Sequence, residues 1–372
     1  MDISLQKTVV FLFFILIGVL LKVKFQSKDE ISGIKKIILN LALPATIFIA
    51  LLGVKIELEL LLLPLLALGL NLLLFFAMPL LLPILGIVKH TSEFRTAKLL
   101  MPSLAPGLSC FPFVLEFLGK DYLAKAAMAD LGNKIFVLIF LYLIAMNWHY
   151  NLQSKKSKAK FSKLKPMLKA MITEPVNMFI LVALLLLGFG FTMDTLPFFL
   201  SETLKKLSLI MTPLVLLFIG LAVKIKRKQF FQIFSLLCLR ASMVVLIVGL
   251  FVSIVGIQVT NEILLLLSFG LSACSFWPYA HIAAVDSIED QVPEKQRTFH
   301  NNYAITILAL SFPLSTILIL GVLNSGSFLT AVPNIFMLAG LLFGTGILFP
   351  LVNTIQTKLS EQKIKTSVTE NV

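Results

Sequence analysis

The sequence predicts an all-α integral membrane protein, and three observations support this. Hydrophobic residues make up 58% of the 372 residues and charged residues only 14%, which is too little polar surface to cover a water-soluble globule. The hydrophobic residues occur in runs of roughly 20, the length of a helix that crosses the hydrocarbon core of a bilayer. Lysine-rich segments separate the runs and account for much of the net charge of +13. They are interpreted as signals of membrane topology.

Eleven hydrophobic runs, named spans one to eleven, follow one another along the chain. They cover residues 7–23, 31–53, 60–86, 96–118, 121–146, 175–192, 199–223, 231–256, 262–285, 300–323 and 331–353. The first run resembles a signal peptide, but it continues into Lys22-Val23-Lys24 without a small-residue cleavage site, so it is kept as a span. Span eleven contains three glycines and two prolines. A re-entrant or interfacial segment therefore stays open as an alternative for it.

The basic segment between spans five and six determines the predicted orientation. Residues 147–173 contain seven lysines and no acidic residue, so the positive-inside rule places this loop in the cytoplasm. Alternation of the spans then puts the N-terminus outside and the C-terminal tail inside. The expected location is the plasma or inner membrane, with several passes through it.

An internal repeat relates the two halves of the chain. Pro44 in span two and Pro213 in span seven each precede a Val-Lys-Ile sequence by ten residues. Spans four and nine both contain Gly-Leu-Ser followed by a proline, beginning at Gly107 and Gly270. A repeat of five spans explains both pairs, and because five is an odd number the two copies face opposite ways. Inverted repeats with broken helices are typical of secondary transporters.

The predicted fold is therefore ten transmembrane helices in two inverted five-helix repeats, with crossed broken helices four and nine, plus an extra C-terminal eleventh helix. The first repeat covers residues 7–146, and the second covers residues 175–323. The remaining segments are the basic cytoplasmic loop 147–174, the eleventh helix 331–353 and the cytoplasmic tail 354–372.

The breaks in spans four and nine predict the substrate site. A proline leaves a backbone carbonyl without its helical partner, which at membrane depth is tolerated only inside protein or beside a water-filled cavity. Where two broken helices cross, the N-termini of their half-helices favour a bound anion. The predicted substrate-binding residues are Ser109, Cys110, Pro112, Ser272, Cys274, Pro278 and Asn302. Packing kinks at the prolines, capping of freed carbonyls by the serines and helix cross-linking by the asparagine stay open as alternatives.

Three further polar residues are candidates for coupling to an ion. Asp130 lies near the middle of span five, where a charge indicates function, but Lys134 four residues later offers a structural ion pair as an equal alternative. Asn133 is expected to serve a ligand or to cross-link helices. Because an ordinary histidine titrates near neutral pH, His281 is a candidate for proton coupling, although a lone histidine is more often a hydrogen-bonded structural group. Arg240 in span eight is expected to snorkel toward the inner surface or to contact lipid headgroups.

The order of these motifs resembles the auxin efflux carrier family of permeases, whose prokaryotic members include proposed malonate and malate carriers. The likeness covers roughly residues 5–323. It rests on the segment Asn40 to Pro44, the Gly/Pro break before Phe-Leu-Gly-Lys-Asp in span four, Asp130-Leu131-Gly132-Asn133, Glu174-Pro175-Val176-Asn177, Pro213 to Gly220, and Asn302 to Ser315.

The resemblance implies ten helices in two inverted repeats, a scaffold part, a transport part that holds the crossing, an elevator-like motion and a homodimer. The chain departs from the family at one position of the site. Where the family has Asn-x-Gly before the proline of helix four, this chain has Ala105-Pro106-Gly107. A polar substrate contact is missing there, which leaves the identity of the substrate open.

The function expected from the sequence is transport of a small organic anion by alternating access, and not enzymatic catalysis. The His281 and Asp286 pair has the His-x4-Asp order of some acyltransferases, but residues five apart on a helix diverge by about 140°. A non-transporting receptor or scaffold is the other open alternative. No metal is expected, since the three cysteines lack a metal-type spacing. No cofactor is expected, and no nucleic acid, since the lysines lie between apolar runs without interleaved aromatic residues. The expected partners are the anion and the lipid bilayer, and a coupled proton or sodium ion is left open.

Overall fold

A computed structural model describes residues 3–25, 27–53, 58–152, 169, 173–222, 230–293 and 296–369. This part of the chain is helical and contains no strand. Its α-helices are α1 Ile3–Leu21, α2 Lys28–Ile37, α3 Leu43–Leu52, α4 Leu58–Leu81, α5 Ser92–Leu100, α6 Pro106–Ser109, α7 Phe111–Phe117, α8 Lys120–Ile135, α9 Leu141–Leu152, α10 Pro175–Gly188, α11 Phe198–Leu209, α12 Met211–Ala222, α13 Phe230–Val255, α14 Thr260–Gly270, α15 Phe276–Ile288, α16 Asn301–Asn324 and α17 Val332–Thr369. Most of the basic loop 147–174, with six of its seven lysines, lies outside the described residues.

All eleven predicted spans contain helix, and the bundle has the length and composition of a membrane protein. Among the described residues, six helical stretches are long and apolar enough to cross a bilayer: Asp29–Leu52, Leu60–Leu85, Lys120–Leu152, Phe198–Leu221, Phe230–Val255 and Asn301–Asn324. Four further apolar helices are shorter: Leu5–Leu21, Pro175–Gly188, Thr260–Gly270 and Val332–Leu348. The all-helical prediction is confirmed, whereas the inverted-repeat topology stays a prediction.

Spans four and nine are both interrupted near their middle, as their glycines and prolines predict. In span four, residues 101–105 separate α5 from α6, and in span nine residues 271–275 separate α14 from α15. Pro106 is the first residue of α6, where its missing N–H costs no helical bond. Ser275 caps α15, since its hydroxyl accepts a hydrogen bond from the Trp277 N–H at 3.3 Å. Each interruption therefore has a local cause in the sequence.

Two equivalent helix pairs join the first half of the chain to the second. Helix α1 packs along α12, which joins spans one and seven, and α10 packs along α3, which joins spans six and two. In the predicted repeat, span six is the counterpart of span one, and span two is the counterpart of span seven. The second pair is therefore the repeat equivalent of the first. Gly18 and Gly220 permit the close approach of α1 and α12, because a Cβ atom at Gly18 would lie 2.3 Å from the carbonyl oxygen of Leu217. The pairing agrees with a five-span repeat.

Polar contacts between spans join ends that the predicted topology puts on the same side. On the predicted outer side, Lys7 lies 3.7 Å from Glu116, and Lys125 lies 3.0 Å from Glu262. On the predicted inner side, the loop after α15 contacts the ends of spans four and five. The contacts agree with the alternation of spans, while the side that faces the cytoplasm stays a prediction.

Span eleven is one continuous helix and not a re-entrant hairpin. Helix α17 runs from Val332 to Thr369, so it extends through the predicted tail as far as it is described. It packs along α13, where the Ser242 hydroxyl donates to the Ala339 carbonyl at 2.7 Å. The additional helix thus covers one side of span eight.

Candidate functional site

The interruptions of spans four and nine are hydrogen-bonded to each other. The Ala105 N–H donates to the Ala273 carbonyl at 2.8 Å, and the Ala273 N–H donates to the Ser109 hydroxyl at 2.9 Å. A third bond runs from the Ser275 N–H to the Ser103 hydroxyl at 3.0 Å. Backbone groups that lack helical partners in one break are thus satisfied by the other. The two broken spans meet at their breaks.

A cavity of about 270 Å³ lies beside this meeting point. Span two, the break of span four, span five, the start of span six and the first turns of α15 form its walls. Its charged lining residues are Lys35, Asp130, Lys134 and Glu174. Leu39, Leu43, Val137, Val176 and Trp277 contribute apolar surface. An apolar cavity with a few convergent charged groups is the usual form of a small-molecule site.

Lys35 is the charged residue of the cavity that has no carboxylate partner among the described residues. Its ammonium lies 3.4 Å from the centroid of the Phe276 ring, a cation–π contact. Phe276 is also the first residue of α15, so the positive end of that helix lies at the same wall. We did not identify Lys35 from the sequence. The sequence feature that could have identified it is a lysine that lies two helical turns inside span two.

Asp130, Lys134, Glu174 and Asn177 form one polar cluster between spans five and six. The Lys134 ammonium donates to the amide oxygen of Asn177 at 2.9 Å, and it lies 3.3 Å from Glu174 and 3.5 Å from Asp130. Asp130 and Lys134 are buried, with side-chain exposures of 7% and 8%. The predicted ion pair therefore exists, and it shares its ammonium with a second carboxylate.

Asn133 holds the backbone of span four at its break. Its amide oxygen accepts from the Leu104 N–H at 3.2 Å, and its amide nitrogen donates to the Leu104 carbonyl at 3.0 Å. The same side chain also binds Asp130 at 2.8 Å and Asn71 at 2.9 Å. Asn71 in span three is a further buried polar residue that we did not single out from the sequence. This bonding agrees with the cross-linking alternative for Asn133.

Asp130 and Asn133 line the cavity, whereas the other eight predicted site residues do not. Seven of these eight residues are buried in the bundle: Ser109, Cys110, Pro112, Ser272, Cys274, Pro278 and His281. Asn302 is exposed at the start of α16. The Ser272 hydroxyl donates to the Phe269 carbonyl at 2.6 Å, so it satisfies a carbonyl at the end of α14. Their roles in substrate binding stay predictions.

His281 and Asp286 have separate partners although both lie on α15. His281 Nε2 donates to the Val137 carbonyl at 2.9 Å, and it carries the proton because a carbonyl only accepts. Asp286 instead binds Arg297 at 2.8 Å and Asn301 at 3.0 Å. The two side chains of the His-x4-Asp sequence are therefore engaged with different parts of the bundle.

The expectation for Arg240 was wrong, because its side chain does not reach the membrane surface. Arg240 is 3% exposed. Its Nε donates to the Met101 carbonyl at 2.6 Å, and one terminal nitrogen donates to the Ser103 carbonyl at 3.0 Å. These carbonyls follow the last turn of α5, where the negative end of a helix favours a cation. The guanidinium satisfies carbonyls that the break leaves free.

Two π-helical segments border the cavity. Ile38–Ala42 joins α2 to α3, and Phe136–Phe140 joins α8 to α9. Each supplies one lining residue, Leu39 and Val137. Single-turn π segments inside α-helices are frequently found at functional sites. Their positions in spans two and five agree with a site between those spans.

The described residues contain no group of three or more His, Cys, Asp or Glu side chains placed to hold a metal ion. Comparison with known proteins gives no further assignment: no protein-family profile matches the chain, and no curated protein matches it.

Proposed function

We propose that the chain is a secondary transporter of a small organic anion, which binds in the cavity at the crossing of spans four and nine. The observation that carries this proposal is the position of Lys35. Its ammonium faces the cavity without a carboxylate partner among the described residues and lies over Phe276 at the N-terminus of α15. Both the ammonium and the helix N-terminus favour negative charge. The apolar part of the wall suits the carbon skeleton of an organic acid.

The extent of the cavity along the spans supports alternating access. The breaks lie at mid-span, whereas Glu174 directly precedes α10 and Lys35 lies seven residues into the helix that begins at Lys28. Both charged residues thus lie toward the end of the bundle that the positive-inside rule assigns to the cytoplasm. A cavity between a mid-membrane break and one end of the bundle is expected of an inward-facing transporter.

The repeat and the family resemblance belong to the same proposal. The equivalent packing of α1 on α12 and of α10 on α3 supports two inverted repeats. An elevator-like motion, a homodimer and a place in the plasma or inner membrane follow from the resemblance and the topology. A receptor or scaffold without transport would be favoured by a crossing without a polar cavity, and the cavity lies beside the breaks without reaching Ser109 or Ser272. The charged cavity favours transport.

The experiment that tests this proposal is flux through purified protein in liposomes. Uptake of labelled malonate, malate, lactate, pyruvate and benzoate is measured, with protein-free liposomes as the blank for passive diffusion. We expect saturable flux of at least one acid. Lys35→Gln should lower its ratio of maximal flux to half-saturation constant about 10-fold or more, since a charge-assisted contact is worth roughly 1.5–3 kcal/mol.

Lys36→Gln is the matched control, because Lys36 is the next residue on the same helix and is exposed. It should transport like the native protein. Flux that Lys35→Gln leaves unchanged would place the anion elsewhere. If the folded protein transports none of the acids, the receptor alternative is favoured.

A further inference from the structure

We propose that Glu174 is a proton-binding site and that one proton crosses the membrane together with each singly charged anion. This inference rests on the transport function proposed above and identifies its coupling ion. It follows from the charges of the cavity and from the way in which Lys134 is shared.

Among the described residues, four charged side chains line the cavity, and their charges sum to zero when all are ionised. Lys35 and Lys134 are positive, and Asp130 and Glu174 are negative. A bound monoanion would leave the loaded cavity with one negative charge. Carrying an uncompensated charge through a region of low dielectric constant is costly. Uptake of one proton by a carboxylate of the cavity restores neutrality, so anion and proton each favour the binding of the other.

The amide nitrogen of Asn177 donates to Glu174 at 3.2 Å, and the ammonium of Lys134 is shared between the two carboxylates. The closest partner of this ammonium is the neutral amide of Asn177, at 2.9 Å. Glu174 and Asp130 follow at 3.3 Å and 3.5 Å, longer than the roughly 2.7–2.9 Å of strong charge-assisted hydrogen bonds. Protonation of one carboxylate still leaves Lys134 with the other and with Asn177. The cluster therefore retains its ammonium contacts in both protonation states.

Glu174 is better placed than Asp130 to exchange this proton with water. Its side chain is 21% exposed, against 7% for Asp130, and it lies just before the first turn of α10. Asp130 is also bound by the Asn133 amide, which is itself bound to the break of span four. A proton from water thus reaches the Glu174 carboxylate first, and it returns to water there after the anion leaves.

The electrostatic surroundings of Glu174 agree with this role. Burial raises the pKa of its carboxyl group, the Lys134 ammonium opposes that rise, and Asp130 adds to it. Among the described residues, the titratable groups that face it are Asp130 and Lys134 from α8 and Lys35 across the cavity lining from α2. Anion binding adds one more negative charge nearby, which favours the protonated carboxyl further.

A sodium ion is a poorer candidate than a proton for this cluster. The oxygens that would bind it belong to Asp130, Glu174 and Asn177, and the Lys134 ammonium already lies among them. A metal cation would have to displace that ammonium and would meet its repulsion. A proton needs only one carboxylate oxygen.

Proteoliposomes separate coupling from binding and transport. Using the monocarboxylic acid with the largest Lys35-dependent flux, we compare accumulation driven by an acidic exterior, after subtraction of that in protein-free liposomes, with exchange of labelled for unlabelled acid. The native protein should accumulate the acid above equilibrium. Glu174→Gln should lose that accumulation and still catalyse exchange, which needs no net proton movement. Glu262→Gln is the matched control, because Glu262 is an ion-paired glutamate outside the cavity.

Accumulation by Glu174→Gln at the native level, or accumulation driven by a sodium gradient alone, would overturn the proposal while leaving anion transport intact. A measurement without substrate applies even if no transported acid is found. In infrared difference spectra of the native protein minus Glu174→Gln, the carbonyl stretch of a protonated carboxyl group should appear at a pH above the ordinary glutamate midpoint of about 4.3, because burial raises the pKa of Glu174. A carboxylate that is protonated only at or below that ordinary midpoint would refute the assignment.

Discussion

The Ser109 hydroxyl accepts a hydrogen bond from the backbone N–H of Ala273 at 2.9 Å and thereby joins the break of span four to the break of span nine. The same hydroxyl donates to the Ala105 carbonyl at 2.8 Å. Ser109 is fully buried, so water does not replace these bonds. One side chain therefore satisfies backbone groups in both breaks.

Ser109→Ala should destabilise the contact between the two breaks. The substitution leaves the buried Ala273 N–H without this partner, which costs about 1–3 kcal/mol. We expect a lower unfolding temperature of the purified protein in detergent, measured by differential scanning fluorimetry. Ser287→Ala is the control, because its hydroxyl also bonds a helical carbonyl but is exposed. Equal unfolding temperatures for the two variants would show that the Ser109 bond contributes little.

Arg240→Met should destabilise the protein more than Ser109→Ala does. It removes two charge-assisted hydrogen bonds from the buried carbonyls of Met101 and Ser103, each worth about 1.5–3 kcal/mol. Arg240→Lys keeps a positive charge near these carbonyls, so it should recover part of the loss. Chemical denaturation in mixed micelles measures both variants. A native-like midpoint for Arg240→Met would contradict the role of the guanidinium at the break.

The case of Arg240 shows what the sequence predicts and what it does not. Hydrophobic run length predicts where helices lie, and the prolines and glycines of spans four and nine predict where they break. The partners of Arg240 are backbone carbonyls more than 130 residues away in sequence. Every residue has a backbone carbonyl, so the sequence does not show which carbonyls will bind a distant side chain. The prediction for Arg240 therefore followed the general tendency of arginine to snorkel.

The lining of the cavity was hard to predict for a related reason. Whether a side chain faces a cavity depends on the rotation of its helix, and one residue changes that direction by about 100°. The π-helical segments at Leu39 and Val137 shift this register within spans two and five. Asp130 and Asn133 were found because a charge or amide inside a span is rare. Lys35 was missed because it resembles a basic residue flanking a span.

Acid should unfold the native protein partly through Glu289. Burial alone would raise the pKa of Glu289, but hydrogen bonds from the Thr298 hydroxyl and N–H and from His149 outweigh it and hold the pKa below its usual value. The distance from Glu289 to His149 is 2.6 Å. A lowered carboxyl pKa contributes stability above the unfolded value of about 4.3, and this stability is lost as the pH falls through the folded value.

We therefore expect the unfolding temperature of the native protein to fall steeply below about pH 4.3, and that of Glu289→Gln to start lower and to fall less over the same range. Asp290→Asn is the matched control, because the adjacent Asp290 side chain is 89% exposed. Its profile should follow the native one. Parallel profiles for the native protein and Glu289→Gln would show that Glu289 does not contribute to the acid response.

Cysteine labelling at Ala280 should report the side to which the cavity opens. Ala280 lines the cavity and is exposed, while the three native cysteines are buried and give a low background. A membrane-impermeant maleimide should label Ala280→Cys in inside-out vesicles and leave it unlabelled in intact cells, because the predicted topology opens this cavity to the cytoplasm. Ala331→Cys, at the predicted outer end of span eleven, should label from the opposite side only. Labelling of both variants from the same side would contradict the alternation of spans, and a complete exchange of the two sides would invert the topology while leaving the cavity intact.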